Sequence, residues 1–376
     1  MGDLRRSAPG HSDHSFLPVL SIYCRLECAP RATFCAKSHG KVKLVSRVAL
    51  LPLTRSAIDE ASFLKPKVPI MSAELAFNRN VDVDYGVAEE VAPGVRRIVA
   101  NNPGPYTFLG TNTYIVGRGT LAVVDPGPHD ADHLQAIAAA TKGERLVYIL
   151  ITHSHRDHCD GARALQTMLG GEVLAFGPTG TPRGAGAPGL GDAFVDPDFV
   201  PDRILQGGEV IKGRGFALDV LHTPGHAPDH LCFALVGQRT VFTGDHVMGW
   251  NTTVIAPPEG NLANFVASLD MLMHRHDKVF LPGHGGRVQT PQRVVRAYMT
   301  HRRWREQTIL ACLDDGVSTI GAIVAKLYGA LDKDLKEAAA LSVLAHLQHL
   351  GDRGIVVSDG DEGLTSAFSL RYSRAS

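Results

Sequence analysis

Apolar positions along this chain fall into short runs that stop abruptly at small, polar or turn-forming residues. Between Gly110 and Gly127, GTNTYIVGRGTLAVVDPG holds two β-rich runs joined by GRG, the composition of a hairpin. DADHLQAIAAA follows with helical character and opens on Asp130, a good N-cap residue. LVYILIT (Leu146 to Thr152) is a continuous apolar run, which predicts a strand covered on both faces. GGEVLAFG, FALDVLHTPGH, HLCFALVG, RTVFTGDH and DKVFLPGHGG read as further strands. GNLANFVASLDMLM places Leu262, Phe265, Val266 and Leu269 at helical spacing behind Asn261 as N-cap. Alternating strands and helices of this kind predict an α/β fold, with sheets flanked by helices.

From about Arg293 the pattern changes. RVVRAYMTHRRWREQTILACLDDG reads as one long helix and STIGAIVAKLYGAL as a short one capped by Ser318. DLKEAAALSVLAHLQHLGDRG reads as a third, with Leu341, Leu344, Leu347 and Leu350 on one side. IVVSDG and AFSLRY are candidate strands, so the tail predicts a small winged-helix-like domain. The expected organisation is an N-terminal extension over 1–80, a catalytic domain over 81–290 and the winged-helix-like domain over 291–376. Gly177 to Phe199, rich in Gly and Pro, is expected to be a long surface loop.

The extension stands apart in composition. Up to Ile58 it carries nine Lys or Arg against Asp3, Asp13 and Glu27. This admits a mitochondrial-type targeting segment, a disordered extension, or an overrun upstream of a start at Met71. Six scattered cysteines without paired spacing favour a reducing compartment, the cytoplasm or the mitochondrial matrix. No apolar run of about 18 residues suggests a membrane span. The formal net charge of zero argues against a whole-surface nucleic-acid binder. From Arg302 onward nine basic residues meet ten acidic ones, so packing or homodimerisation is the expected role of the tail. A local basic cluster, Arg293, Arg296, Arg302, Arg303 and Arg305, shares the long helix.

The chemistry concentrates at strand ends. ITHSHRDHCDG puts His153, His155, Asp157 and His158 directly after an apolar strand. Alternate residues of an extended segment face the same way, so His153 and His155 can converge on one ion. HTPGH adds His226, TGD adds Asp245 and PGHG adds His284, each after another strand and beside turn-forming residues. Imidazole and carboxylate are the usual ligands of hydrolytic zinc, although manganese and iron accept the same set.

THSHRDH, HTPGH, TGD and PGHG in this order resemble the metallo-β-lactamase superfamily. The resemblance implies an αβ/βα four-layer sandwich with a two-metal site along one edge of its sheets. It implies one zinc on His153, His155 and His226, a second on Asp157, His158 and His284, and Asp245 bridging them with a hydroxide. Asp157 and Asp245 are then the catalytic carboxylates. Asp125, in VVDPG, is expected behind the metals, orienting a ligand histidine.

Within the superfamily, antibiotic-degrading members carry Cys or Ser at the position of Asp245. Glyoxalase II enzymes read THHHxDH where this chain has Ser154. Long-type RNA-processing members insert a domain between Asp245 and His284, here only 39 residues apart. NNPGPYTFLGTNTYIVG, GDHVMGWNTTV and YMTHRRWREQTIL more closely resemble the lactamase-β-like endoribonuclease family, which carries a C-terminal winged helix. That resemblance implies attack on phosphodiesters of single-stranded RNA. A small-molecule ester, thioester or lactone substrate stays open, as does a non-catalytic, partner-binding role. Thr111, Asn112, Thr113 and Trp250 are the candidate substrate contacts.

Overall fold

The computed structural model describes residue 77 and residues 79–177, 195–196, 198–329, 331 and 333–372. The expectations for residues 1–76, including a start at Met71, lie outside the described residues, as does most of the Gly/Pro-rich loop (178–194). The described end of the expected extension packs on the domain. Phe77 meets Tyr298 edge-on, with ring centroids 6.2 Å apart, and Arg79 Nε donates to the Trp250 carbonyl at 3.2 Å.

One sheet has seven strands in sequential order: β1 (Glu89–Ala92), β2 (Val95–Val99), β3 (Asn112–Arg118), β4 (Thr120–Val124), β5 (Arg145–Leu150), β6 (Glu172–Ala175) and β7 (Arg203–Ile204). Pairing is antiparallel from β1 to β4 and parallel from β4 to β7. The second sheet runs β12 (Val279–Pro282), β11 (Thr240–Gly244), β10 (Leu231–Leu235), β9 (Phe216–His222), β8 (Val210–Gly213). The hairpin β1–β2 and strand β8 are absent from the sequence reading, because their residues mix charge with apolar positions too evenly.

Two-residue alternation assigns each strand's side chains to two cores. Tyr114, Val116, Ala122, Val124 and Leu150 face inward and meet Val220, Phe233, Phe242 and Leu281 of the other sheet. Ile115, Val123 and Ile149 face outward onto α1 (Ala131–Ala140) and α3 (Ala162–Leu169), through Leu134, Ile137 and Leu165. Cys232, Val241 and Phe280 face the opposite way, onto α4 (Leu262–Met273) and α5 (Pro291–Asp314), through Phe265, Leu269 and Tyr298. The result is the expected four layers. Asp130 and Asn261 cap α1 and α4, accepting from the amides of His133 and Asn264 at 2.8 and 2.9 Å.

The tail comprises α6 (Ile320–Tyr328), α7 (Lys333–Asp352) and the antiparallel pair β13 (Val356–Ser358) and β14 (Phe368–Leu370). Its core joins Ile323, Val343, Leu344, Leu347, Leu350 and Phe368 to Ile309 and Leu313 of α5. The N-cap of α6 is Thr319 rather than Ser318; its hydroxyl accepts from the Ala322 amide at 3.4 Å. Helix α5 serves both domains, since its first half carries Val295 and Tyr298 into the hydrolase core. The basic cluster on it is not one solvated face. Arg302 is buried and donates to the Thr253 carbonyl. Arg305 lies over the rings of Trp304 and Tyr328, at 4.9 and 4.6 Å. Among the described residues no helix is long and apolar enough to cross a membrane.

Candidate active site

Every candidate ligand leaves the end of a strand at the same edge of the two sheets. His153 follows β5. His155 caps the one-turn helix α2 (Arg156–Cys159), which carries Asp157 and His158. His226 follows β9, Asp245 follows β11 and His284 follows β12. Glycines allow the crowding. A Cβ on Gly283 would lie 2.6 Å from both Asp245 Oδ1 and His158 Cε1, and one on Gly225, at φ +143°, would lie 2.3 Å from Phe265 Cα.

Donor atoms of His153, His155 and His226 lie within 4.8 Å of one another, as do those of Asp157, His158 and His284. Asp245 stands between the two trios. Its Oδ1 is 3.5 Å from His158 Nε2, and its Oδ2 is 3.4 Å from His284 Nε2 and 3.8 Å from His226 Nε2. His284 Nε2 and His158 Nε2 are 3.2 and 3.4 Å from Asp157 Oδ2.

Hydrogen bonding on the outer ring nitrogens decides what the inner ones can do. His158 Nδ1 donates to Asp125 Oδ2 at 2.8 Å, and His284 Nδ1 to the Gly110 carbonyl at 3.2 Å. Their Nε2 atoms are thereby turned inward and face each other at 3.3 Å. His226 Nδ1 donates to the Val254 carbonyl at 2.8 Å and His155 Nε2 to Glu259 Oε2 at 3.3 Å. Their inner nitrogens, Nε2 and Nδ1, face each other at 3.2 Å. His153 Nε2 and Asp245 Oδ1 are buried without any hydrogen-bond partner. Converging imidazole nitrogens and carboxylate oxygens, two of them orphaned in the interior, are what a cation would satisfy, so this donor set fits divalent metal.

The electrostatics divide these histidines. Burial and the surrounding imidazoles push His153 well down, and burial and His155 push His226 to about 4, which keeps both neutral. Burial would lower His284 as well, but the carboxylates of Asp245 and Asp157 hold it up to about 9. Burial would raise Asp157 and Asp245, yet His158 and His284 hold both carboxyls well below the usual range. Burial would lower His155 too, but Glu259, Asp157 and Asp245 hold it above the usual range, so His155 and His284 would give up protons to a metal while His153 and His226 are already neutral.

These groups open into a cavity of about 200 Å³. Tyr106, Thr107, Val254, Ala256, Glu259, Ala338 and Leu341 line it beside His155, Asp157, His226, Asp245 and His284. Arg156 also lines it and pairs with Asp160 and Asp196 at 3.5 and 3.8 Å. The four candidate substrate contacts are elsewhere. Thr111, Asn112 and Thr113 are buried, and their polar atoms bond to protein. Thr111 Oγ1 donates to Asp157 Oδ2 at 3.2 Å, Asn112 Nδ2 to the Pro282 and Gly285 carbonyls, and Thr113 Oγ1 to the Asp125 carbonyl. Trp250 stacks on Phe108 at 4.9 Å, outside the cavity lining.

Sequence reading missed Glu259, because 104 residues separate it from His155. It also missed Asp229 and His230, although HTPGHAPDH contains both. Asp229 Oδ2 accepts from the Ser154 amide at 2.9 Å, and His230 Nε2 from the Asp245 amide at 3.2 Å.

Comparison with known proteins agrees with this fold. Residues 106–284 match the metallo-beta-lactamase superfamily model, and residues 319–364 the beta-lactamase associated winged helix domain. A metallo-beta-lactamase family protein from Thermus thermophilus superposes with a TM-score of 0.62 at 23% identity, covering 75% of this chain and 100% of that one. Fold and site together define a hydrolase of the metallo-β-lactamase fold. The chain has the metallo-β-lactamase fold over the first of the two matched segments, and its C-terminal segment is similar to the winged helix associated with that fold. An atrochrysone carboxyl ACP thioesterase of Pseudocercospora fijiensis is 27% identical over 76% of this chain and 83% of its own length. Another, from Aspergillus chevalieri, is 29% identical over 71% and 84%. Both relatives are named thioesterases, the class of substrate left open beside the endoribonuclease reading of the sequence, and neither is named a nuclease.

Proposed function

We propose that the protein is a metal-dependent thioesterase acting on an apolar acyl group. The observation that carries this is the cavity wall. Val254, Ala256, Ala338 and Leu341 give the site an apolar side, and Arg156 is the one cation among its described lining residues, already paired with carboxylates. A polynucleotide backbone calls for several free cations along its path, and burial of Arg302 and stacking of Arg305 remove two from the helix expected to provide them. The thioesterase names of the two relatives point the same way.

In this reading His153, His155 and His226 would hold one divalent ion and Asp157, His158 and His284 a second, with Asp245 between the two trios. When bound, the ions activate water at neutral pH and polarise the acyl carbonyl. The chain's own groups do the rest. Asp125, Glu259, and the carbonyls of Gly110 and Val254 fix the histidine rings, so that the inner nitrogens need no reorganisation. The low proton affinity of Asp245 and Asp157 keeps negative charge beside the ions. Overall, water's oxygen bonds to the acyl carbon, the C–S bond breaks, and the sulfur leaves with the electron pair. A thiol with a pKa of ~8.5 leaves as thiolate with little help from a general acid.

The test sets metal-loaded protein against acyl thioesters and single-stranded RNA, with the Asp245→Ala variant beside it. Thioester turnover that disappears in the variant is the expected result. RNA cleavage that disappears in the variant, with no thioester turnover, would overturn the reading.

A further inference from the structure

Helix α7 is apolar on two faces. Ala339, Val343, Leu344, Leu347 and Leu350 pack into the winged-helix core. Ala338, Leu341 and Ala345 are spaced three and four residues apart and share a different face. Ala345 joins the hydrolase cluster of Phe265 and Tyr298. Ala338 and Leu341 belong to no core cluster. They are nevertheless 9% and 3% exposed, and they line the cavity with His155, His226 and Asp245. A helix of the C-terminal domain therefore supplies two of the four aliphatic residues among the described lining of the hydrolytic centre.

We propose that this face of α7 is the selectivity wall of the enzyme: it receives the acyl group of the substrate and sets the size accepted. The inference rests on the thioesterase reading and adds a role for the winged helix. A carbonyl carbon placed at Asp245 has its thiol on one side and its acyl chain on the other. The acyl side gains from burial only against apolar surface, and Ala338 and Leu341, with Val254 and Ala256, are that surface. The small Ala338 leaves room beside the centre, and Leu341 bounds it. Each methylene buried there is worth about fourfold in kcat/KM.

The experiment measures kcat/KM for N-acetylcysteamine thioesters from acetyl to decanoyl. It compares metal-loaded wild type with Ala338→Phe, Ala338→Ser and Leu341→Ala, and with Val343→Ala on the winged-helix face as a control. Ala338→Phe is expected to lower the decanoyl-to-acetyl ratio at least tenfold with metal content unchanged. Leu341→Ala moves the optimum to longer chains, and Val343→Ala lowers stability but leaves the ratio alone. Should the phenylalanine variant not fold, Ala338→Ser, nearly isosteric and polar, still lowers the ratio. Thioester turnover with a ratio unmoved in every folded Ala338 and Leu341 variant would overturn this inference alone. A wild type that turns over no thioester of any length would overturn the functional reading and this inference with it.

Discussion

Asp125 grips His158 from behind: its Oδ2 accepts from His158 Nδ1 at 2.8 Å, while its Oδ1 accepts from the Thr152 amide at 2.8 Å. Thr152 Oγ1 adds a third bond to the same carboxylate at 2.8 Å. The ring of a candidate ligand is thereby tied to the end of β5. Asp125→Asn turns one acceptor into a donor against these groups. Metal affinity at the Asp157 trio is expected to fall roughly 10- to 100-fold, read by competition with a chromophoric chelator. Unchanged affinity would show that the ring is oriented by other means.

Glu259 does the corresponding work for His155. Glu259→Gln keeps the shape but weakens the charge-assisted bond that leaves Nδ1 free to ligate. An affinity loss of about tenfold is expected for one metal equivalent and not the other, resolved by stepwise titration calorimetry.

Asp245 lies within reach of both trios, so Asp245→Ala should lower kcat by roughly a thousandfold or more. Circular dichroism should show the fold retained, since only a candidate ligand carboxylate is lost from a site at the sheet edge.

Gly283 leaves no room for a side chain. Gly283→Ala puts a methyl 2.6 Å from Asp245 Oδ1 and His158 Cε1. The variant is expected to lose metal at that end of the site, measured as metal per chain after dialysis. Full stoichiometry would mean that the loop moves aside.

His133 predicts acid sensitivity independent of metal. It is 3% exposed and its Nδ1 has no hydrogen-bond partner. Burial pushes its pKa from 6.5 to about 4. The unfolded chain therefore takes up this proton first, so the stability this group supports is complete above pH 6.5 and is lost as pH falls toward 4. Its full size is about 3 kcal/mol. Denaturant unfolding of His133→Leu should give a shallower decline than wild type between pH 6.5 and 4; parallel curves would refute the assignment.

The seven candidate ligands were legible because each stands within a few residues of a strand end, where an apolar run breaks into His, Asp and Gly. Local pattern carried that much of the fold too, including the caps at Asp130 and Asn261. What it could not carry was direction. Leu341, Leu344, Leu347 and Leu350 look like one stripe, but steps of three residues drift around a helix of 3.6 residues per turn. Leu341 and Leu350 end up about 180° apart. One faces the cavity and the other the winged-helix core. The Arg residues of α5 scatter for the same reason, one of them into the interior. Glu259 was invisible because nothing in APPEG announces a partner in another motif.

Helix α5 runs unbroken for 24 residues, about 36 Å, from the hydrolase layer into the winged helix. Tyr298 on it hydrogen-bonds the Met248 and Asn251 carbonyls. Four residues on, Arg302 holds the Thr253 carbonyl, and the Thr253 hydroxyl donates to the Asp245 carbonyl at 2.7 Å. The helix is thus a splint rather than a tether. Its first half is built into one core and its last turns into the other. A truncation just before Pro291 would not trim an accessory module; it would pull the brace from beneath Asp245.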